Sequence, residues 1–271
     1  MGEPMLAVVI LTRNESAFIE ACIESVRWAD RVVVFDSYSE DDTVERARAW
    51  GAEVIQHPFE NYAAQRNAAL ERVEADWIFF VDADERATPE LAEEIRAAIQ
   101  DPHYVGWWVP RRNYLFGRLT RGGGWWPDYQ LRVLRRGYAR YERPVHEIVV
   151  LQGAAGYLRN PLIHYNYDSP AEFRAKQRAY ARLEAQALRE AGVRPHWYTP
   201  WTMMAREFWR RFIRLQGYID GLHGLRLAAW MALAVWETYR LLRRAHREPG
   251  DVHEGVVGKA DASGSPRPPS P

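Results

Sequence analysis

The chain has 271 residues, a formal net charge of zero and 47% hydrophobic residues. This length permits one large domain, or one domain with a substantial extension, and the hydrophobic content permits a sizeable core. The single cysteine, Cys22, excludes a disulfide framework, and its place on the apolar side of a predicted helix indicates a small buried residue. A neutral chain without a recognised nucleic-acid motif argues against binding to nucleic acid.

The charge is unevenly distributed along the chain. Residues 1–169 carry 19 Lys and Arg against 26 Asp and Glu, whereas residues 170–248 carry 15 against 7. The basic surplus therefore belongs to the C-terminal segment. Residues 1–4 lead into the first strand without a basic stretch, so we expect no signal peptide and a cytoplasmic location.

Alternating strand and helix patterns fill the first 82 residues. Residues 6–11 form a continuous apolar run, typical of a strand buried on both faces of a parallel sheet. Further patterns predict, in chain order, a helix at about 18–26, a strand at 31–35, a helix ending near 50, a strand at 53–55, a helix at 63–73 and a strand at 77–81. This order predicts an α/β fold with an open, mostly parallel sheet that binds ligands beyond the carboxyl ends of its strands.

Three local signals predict helix ends. Ser39 followed by Asp42 predicts a capping box before the second helix, and Gly51 stands where the C-cap of that helix would be. Ser169 followed by Glu172 predicts another capping box, at the start of a helix that continues to about residue 192.

The strand at 77–81 ends in an acidic group. Strand alternation sends Asp82 and Asp84 to one side and Ala83 to the other. Two converging carboxylates repel, so the arrangement is costly unless a cation lies between them. Carboxylate oxygens suit Mg²⁺ or Mn²⁺, and Mg²⁺ usually shares its shell with substrate phosphates. The pair therefore predicts a metal that holds a diphosphate, and the alternative is an acidic turn or helix cap.

Thr12 and Asp36 also follow predicted strands, so polar groups gather at one edge of the sheet. Four motifs occur in order along this region: residues 9–15 (VILTRNE), 36–37 (DS) with 41–43 (DDT), 65–67 (QRN) and the DXD-type 82–85 (DADE). In this combination the chain resembles glycosyltransferase family 2, whose fold is GT-A. The resemblance covers about residues 5–165. Residues 124–132 (GWWPDYQLR) and 144–147 (PVHE) resemble the subgroup of lipopolysaccharide-core β-1,4-glucosyltransferases.

The resemblance implies a site for a nucleoside-diphosphate sugar. The donor-binding residues that it implies are Thr12, Asn14, Glu15, Asp36, Arg66, Asp82, Gln130 and Arg132. Thr12, Glu15 and Asp36 would contact the uracil or ribose. Arg66 would approach the diphosphate, because a guanidinium matches phosphate oxygens, although a helix-surface arginine is the alternative. Gln130 and Arg132 would hold a loop or the diphosphate.

The resemblance also implies a metal site. Asp84 would bind Mg²⁺ or Mn²⁺ directly, and His146 resembles a further ligand found in parts of the superfamily, with a structural histidine as the alternative. Glu85 either assists the metal or starts the next helical segment. Asp41 and Asp42 are interpreted as charges at a helix N-terminus.

An inverting transfer needs a carboxylate that removes a proton from the acceptor hydroxyl. Asp128 is the candidate base, in a loop rich in glycine and tryptophan that suits bending and stacking on sugars, and Glu147 is the competing candidate. Trp125 and Trp126 are the expected acceptor contacts, with core packing as the alternative for tryptophans.

The chain divides into a catalytic domain at 1–168, a helical extension at 169–248 and a tail at 249–271. In the extension, arginines beside Trp and Phe favour an interfacial helix on an anionic membrane, and a hairpin packed on the catalytic domain or on a dimer partner is the alternative. Charged residues make the apolar stretch a poor transmembrane span. The tail is rich in Gly, Ser and Pro, which predicts disorder.

These features predict an inverting, metal-dependent glycosyltransferase that uses a UDP-sugar, with UDP-glucose favoured, to build a cell-surface glycan from the cytoplasmic side of the membrane. The acceptor would be a saccharide or a lipid-linked saccharide. A nucleotidyltransferase acting on sugar phosphates is one alternative, but it would need a glycine-rich basic loop after the first strand. An inactive nucleotide-sugar-binding module is the other. The donor sugar, the acceptor and the oligomeric state do not follow from the sequence.

Overall fold

A computed structural model describes residues 2–143 and 148–247. Its strands are β1 (Leu6–Thr12), β2 (Arg31–Asp36), β3 (Glu53–Gln56), β4 (Trp77–Asp82), β5 (Glu85–Ala87), β6 (Tyr104–Leu115), β7 (Arg118–Leu119), β8 (Asp128–Arg135), β9 (Ala139–Glu142), β10 (Ile148–Leu151), β11 (Ala154–Tyr157) and β12 (Leu162–Tyr165). Its helices are α1 (Ile19–Val26), α2 (Thr43–Ala49), α3 (Tyr62–Arg72), α4 (Pro89–Ala98), α5 (Pro170–Glu190), α6 (Thr199–Trp209) and α7 (Leu222–Arg247). The predicted roles of His146 and Glu147 and the predicted tail at 249–271 concern residues outside these ranges.

A ten-stranded sheet organises most of the described part of residues 6–165, and β9 and β10 form a separate two-stranded sheet. Its main order is β3-β2-β1-β4-β8-β6-β12-β5. Strands β1 to β4 pair in parallel, as predicted, with β1 between β2 and β4. Strand β8 then runs antiparallel to both β4 and β6. Because of this reversal, β8 begins beside the end of β4, which brings residues 128–132 to the edge where Asp82 lies.

Apolar layers on both faces explain the unbroken apolar run of β1. Val8 and Ile10 face the layer that contains Cys22 and the inner residues of α1 and α4. Val9 faces the other layer, which contains the inner residues of α3. Residues 6–10 are fully buried, because a strand covered on both sides has no polar face.

The predicted helix ends agree with the structure in two places and disagree in one. Gly51 follows α2 with a φ of +82°, and Ser169 caps α5 by accepting a hydrogen bond from the Glu172 backbone N–H. The capping box before α2 was wrong. Ser39 instead donates its hydroxyl to the carboxylate of Asp36, which is fully buried and needs such partners.

The C-terminal extension is helical and packs on the sheet domain. Helix α7 packs against both α5 and α6. Phe173 of α5 and Leu227 of α7 form a buried cluster with Leu115 at the end of β6, and Trp125 packs against this cluster. Among the helices in the described ranges, none has the length and apolar character needed to cross a membrane.

Two segments interlock where the extension meets the sheet domain. We call residues 121–124 the glycine loop and residues 210–221, which join α6 to α7 through a π-helical and a 3₁₀ turn, the hairpin turn. The Gly122 N–H donates to Asp220 Oδ2 at 2.7 Å, and the Gly123 N–H donates to the Leu215 carbonyl at 2.7 Å. A Cβ at Gly122 would lie 2.2 Å from the Gln216 carbonyl oxygen. Gly122 is therefore required because the two backbones lie in close contact. The sequence indicated only that the glycines allow the loop to bend.

Gly224→Ala provides a test of this packing. In an ordinary helix position the substitution would stabilise the protein by about 1 kcal/mol. At residue 224 the added Cβ would lie 1.8 Å from the Gly217 carbonyl oxygen, so we expect the free energy of unfolding to fall by roughly 2–3 kcal/mol in denaturant or thermal melts. Ala229→Gly, farther along α7, serves as the propensity control and should cost about 1 kcal/mol. A higher melting temperature for Gly224→Ala would contradict the interlocked arrangement.

Candidate active site

A cleft of about 870 Å³ opens at the carboxyl ends of β1 and β4. Seven of the residues predicted from sequence line it, namely Thr12, Glu15, Arg66, Asp82, Asp84, Gln130 and Arg132. They come from four different parts of the chain, and the sheet order brings them together. The local alternation at the end of β4 also agrees with the prediction, because Ala83 is buried while the two neighbouring aspartates are half-buried.

Other predicted residues lie behind or beside the cleft. Asp36 is fully buried, and its carboxylate accepts hydrogen bonds from Thr12, Ser39 and Gln56. It therefore holds Thr12 in place from behind the cleft wall. Asn14 is exposed at a φ of +59°, and its side chain accepts a hydrogen bond from the Glu40 backbone N–H.

The two tryptophans predicted to contact the acceptor differ in their surroundings. The ring of Trp125 packs against Phe173 and lies under the guanidinium of Arg211, 5.7 Å from its centroid. Trp126 is 36% exposed, and the Arg112 guanidinium lies over its ring, 5.6 Å from the centroid. Of the pair, Trp126 is the one that presents an accessible ring.

Asp82 is held by two arginines. Arg132 donates Nη2 to Asp82 Oδ2 at 2.6 Å and Nη1 to Oδ1 at 3.2 Å, and Arg66 Nη2 approaches Oδ1 at 3.3 Å. Burial would raise the pKa of Asp82, but the two guanidiniums outweigh it and hold that pKa well below its ordinary value. Asp82 is thus a permanent carboxylate that orients two cations toward the cleft.

Glu85 supports this arrangement from below. It is fully buried and starts β5, so the expected helical start at this residue was wrong. Its carboxylate accepts the Asp82 backbone N–H at 2.9 Å and approaches Arg132 at 3.2 Å and Arg111 at 3.4 Å. A carboxylate surrounded in this way neutralises the buried arginines and does not face the cleft.

Asp84 faces a histidine that the sequence analysis did not single out. His164 Nε2 lies 3.3 Å from Asp84 Oδ2, and His164 Nδ1 lies 2.7 Å from Asn113 Oδ1. The Asn113 amide nitrogen donates to the Trp125 carbonyl at 2.9 Å, which leaves its oxygen as the acceptor. His164 therefore donates through Nδ1, and its Nε2 faces the Asp84 carboxylate.

Asp128 is surrounded by hydrogen-bond donors. Arg111 donates Nε and Nη2 to Asp128 Oδ2 at 2.9 and 2.6 Å, and Gln130 donates to Oδ1 at 2.9 Å. Burial would raise the pKa of Asp128, but Arg111 and the hydrogen bonds of Gln130 and Asn113 hold it below its ordinary value. Arg111 and Gln130 form the cleft wall here, with Asp128 bound to both of them.

The helical extension contributes to the cleft, which sequence reasoning missed. Lys176 and Tyr180, one turn apart on α5, both line it, as does Trp108 of β6. Within the described residues, Lys176 is the single lysine among many arginines. This unusual residue type was the sequence signal that could have identified it. Among the described residues, the cleft lining includes the cations Arg13, Arg66, Arg111, Arg132 and Lys176 and the carboxylates of Glu15, Asp82 and Asp84. Guanidinium and ammonium donors of this kind suit an anion such as a diphosphate.

Glu15, at the cleft wall, has an unusually high pKa for a carboxyl group. Burial, together with the nearby carboxylates of Asp84, Asp82 and Asp41, raises its pKa to about 7, and Lys176 opposes this rise. A cation bound in the cleft would relieve the repulsion among these carboxylates.

Comparison with known proteins shows the family of the chain. The family described as Glycosyl transferase family 2 matches residues 7–165. The chain therefore belongs to glycosyltransferase family 2 and is a nucleotide-sugar-dependent glycosyltransferase.

Relatives and a solved structure are similar to most of the chain. Lipopolysaccharide core biosynthesis glycosyltransferase LpsC of Rhizobium meliloti (strain 1021) is 32% identical over 271 residues, which span 92% of this chain and 98% of that protein. An uncharacterized glycosyltransferase of Rickettsia bellii (strain RML369-C) is 28% identical over 81% of this chain and 79% of its own. The mannosyltransferase PcManGT from Pyrobaculum calidifontis, solved in complex with GDP-Man and Mn²⁺, matches with a TM-score of 0.54 at 15% identity, over 89% of this chain and 88% of that one. The predicted GT-A fold with a C-terminal helical extension is confirmed.

The raised pKa of Glu15 predicts a pH effect on stability. The pKa is about 7 in the folded protein and 4.5 as the ordinary value, so the stabilising contribution of the protonated group is present below about pH 4.5 and lost as the pH rises through 7. In EDTA, Glu15→Gln should therefore raise the free energy of unfolding by about 2 kcal/mol at pH 8 and leave it unchanged near pH 4.5. Thermal melts across this range check the result, with the exposed Glu24→Gln as the control. Equal stability of wild type and Glu15→Gln at pH 8 would show that the charge on Glu15 does not destabilise the folded protein.

Proposed function

We propose that this protein is an inverting glycosyltransferase that moves glucose from UDP-glucose to a saccharide or lipid-linked saccharide of a cell-surface glycan. One observation carries the proposal. Asp82 holds Arg66 and Arg132 at the wall of the cleft, and Asp84 lines the same cleft beside them. The similarity to LpsC supports an acceptor in the lipopolysaccharide core, and the reaction would take place on the cytoplasmic side. Membership of family 2 sets aside the nucleotidyltransferase alternative, and the relatives named glycosyltransferase favour an enzyme over an inactive binding module.

The donor would lie along the cleft with its diphosphate among the cations. Arg66, Arg132 and Lys176 provide positive charge from three different elements, which suits a group that carries negative charge on several oxygens. The nucleoside would extend toward Thr12 and Glu15 at the end of β1. Asp36 would act indirectly, because its carboxylate fixes the Thr12 hydroxyl at 3.0 Å.

Asp84 and His164 fit a divalent cation. A carboxylate oxygen of Asp84 and the Nε2 of His164 lie 3.3 Å apart, although within residues 2–143 and 148–247 no cluster of three or more such ligands occurs. A Mg²⁺ or Mn²⁺ ion held by these two would complete its shell with diphosphate oxygens and water. When bound, the ion would neutralise charge on the leaving diphosphate. His146 would be a further ligand by the family resemblance.

Ligand-dependent melting tests the donor and the metal site together. We expect UDP-glucose with Mn²⁺ to raise the melting temperature more than GDP-mannose does, and EDTA to remove most of the shift, since a ligand of the native state stabilises it by mass action. His164→Ala should weaken Mn²⁺ binding about tenfold by electron paramagnetic resonance, a readout that needs no turnover.

His103→Ala is the matched control for the metal test, because the His103 side chain is 85% exposed and pairs only with Asp101. If His103→Ala and His164→Ala bound Mn²⁺ equally well, His164 would not be a ligand. If UDP-glucose and GDP-mannose gave equal shifts, the donor assignment would fail while the metal site could stand.

The catalytic base is proposed to be Asp128, with Glu147 as the alternative. A base must take the proton of the acceptor hydroxyl as this oxygen attacks the sugar on the face opposite the diphosphate. To do so, Asp128 would exchange one of its bonds to Arg111 for a bond to the hydroxyl. Arg111 would meanwhile keep the carboxylate ionised and oriented, and Trp126 would offer a ring for the acceptor sugar.

Asp128→Asn tests the assignment of the base. We expect kcat to fall by roughly 10²–10⁴-fold, because a carboxamide cannot take up the proton, while UDP–Mn²⁺ binding stays within twofold. Release of UDP in the presence of acceptor measures the first quantity, and calorimetry measures the second. Turnover near the wild-type rate in Asp128→Asn, together with its loss in Glu147→Gln, would move the role of base to Glu147.

A further inference from the structure

The hairpin turn and its flanks expose a group of large apolar side chains. These are Trp209, Ile213, Tyr218, Ile219 and Leu222, with exposed fractions of 55%, 47%, 51%, 51% and 78%. They fall within 14 residues at the junction of α6 and α7, and we call them the apolar tip. Five such side chains so close together exceed the scattered apolar exposure that any soluble surface shows.

The exposure does not result from a loosely held turn. Gly217 and His223 are buried within the same segment, and the His223 ring lies 3.1 Å from the Thr120 hydroxyl. Asp220 accepts the backbone N–H groups of Arg121 and Gly122 at 3.0 and 2.7 Å. The turn is therefore fixed on the sheet domain, and its apolar side chains project from a rigid support.

Exposed arginines occur within and beside the segment of the apolar tip, whereas its acidic groups are already engaged. Arg206, Arg214 and Arg226 are exposed. Glu207 pairs with both Arg210 and Arg211 at 2.7 and 2.6 Å, which leaves little negative charge on this face.

We propose that the apolar tip is a docking surface for an anionic lipid bilayer. Trp and Tyr favour the interface between headgroups and acyl chains, and each arginine near an anionic surface adds attraction. Exposed arginines lie in the same segment as these apolar side chains, which suits a surface that is both anionic and apolar. The contact would be interfacial, since no helix of the described residues is suited to cross the bilayer.

The position of the tip connects the membrane to the acceptor side of the cleft. The hairpin turn is bonded to the glycine loop, and this loop leads within four residues to Asp128. A bilayer bound at the tip would thus lie on the side where the acceptor enters. If the proposed function holds, this arrangement selects an acceptor that is itself anchored in the membrane.

Vesicle sedimentation of the full chain tests the docking surface without donor or acceptor. We expect the protein to bind vesicles of phosphatidylcholine with 30% phosphatidylglycerol at least tenfold more tightly than pure phosphatidylcholine, and to lose affinity in 0.5 M salt. The double variant Trp209→Glu, Leu222→Glu should bind the anionic vesicles at least tenfold more weakly. Trp197→Glu is the matched control, because Trp197 is 71% exposed and precedes the other end of α6; it should bind as the wild type does.

Three results would overturn the docking surface. The first is wild-type protein that stays in the supernatant with both vesicle types, and the second is equal binding by the tip variant and the Trp197 control. The third is a wild-type dimer that is lost in the tip variant, which would make the tip a contact between two copies of the chain. The UDP–Mn²⁺ melting shift is measured on each variant. An unchanged shift shows that the fold and the donor site are intact, so a failure of docking remains separate from a failure of the proposed function.

Discussion

The ion pairing of Arg132 with Asp82 and Glu85 is the interaction on which the site depends. Arg132 is 5% exposed and Glu85 is fully buried, so neither charge would be tolerable without the other. The pairing joins the middle of β8 to the end of β4. It also engages the carboxylate of Asp82, which leaves Asp84, turned the same way one step later, as the acidic group that is open to a cation.

A chain of side chains connects the two halves of the site. Asp84 contacts His164, His164 bonds Asn113, and the Asn113 amide reaches Asp128 at 3.3 Å. The proposed metal ligand and the proposed base are thus held by one connected network, whose members fix each other's orientation. Through these contacts, the distance between the proposed metal ligand Asp84 and the proposed base Asp128 is held constant.

The helical extension is part of the site as well as a possible contact with the membrane. Helix α5 brings Lys176 and Tyr180 to the cleft, and the hairpin turn carries the glycine loop that leads to Asp128. The two alternatives open at the level of sequence, packing on the catalytic domain and contact with a membrane, are compatible. One side of the extension packs on the sheet domain, and the apolar tip faces away from it.

The sequence by itself determined what depends on neighbours along the chain. The apolar run of β1, the alternation that turns Asp82 and Asp84 the same way, and the cap at Ser169 are set within a few residues, so local periodicity was sufficient. The capping box at Ser39 failed because the buried Asp36 competed for the same hydroxyl. Only the tertiary structure decided that β8 enters the sheet antiparallel beside β4, and that His164 and Lys176 meet the acidic strand end from 80 or more positions away. Contacts of this kind depend on strand order and register across the whole sheet, which no local pattern encodes.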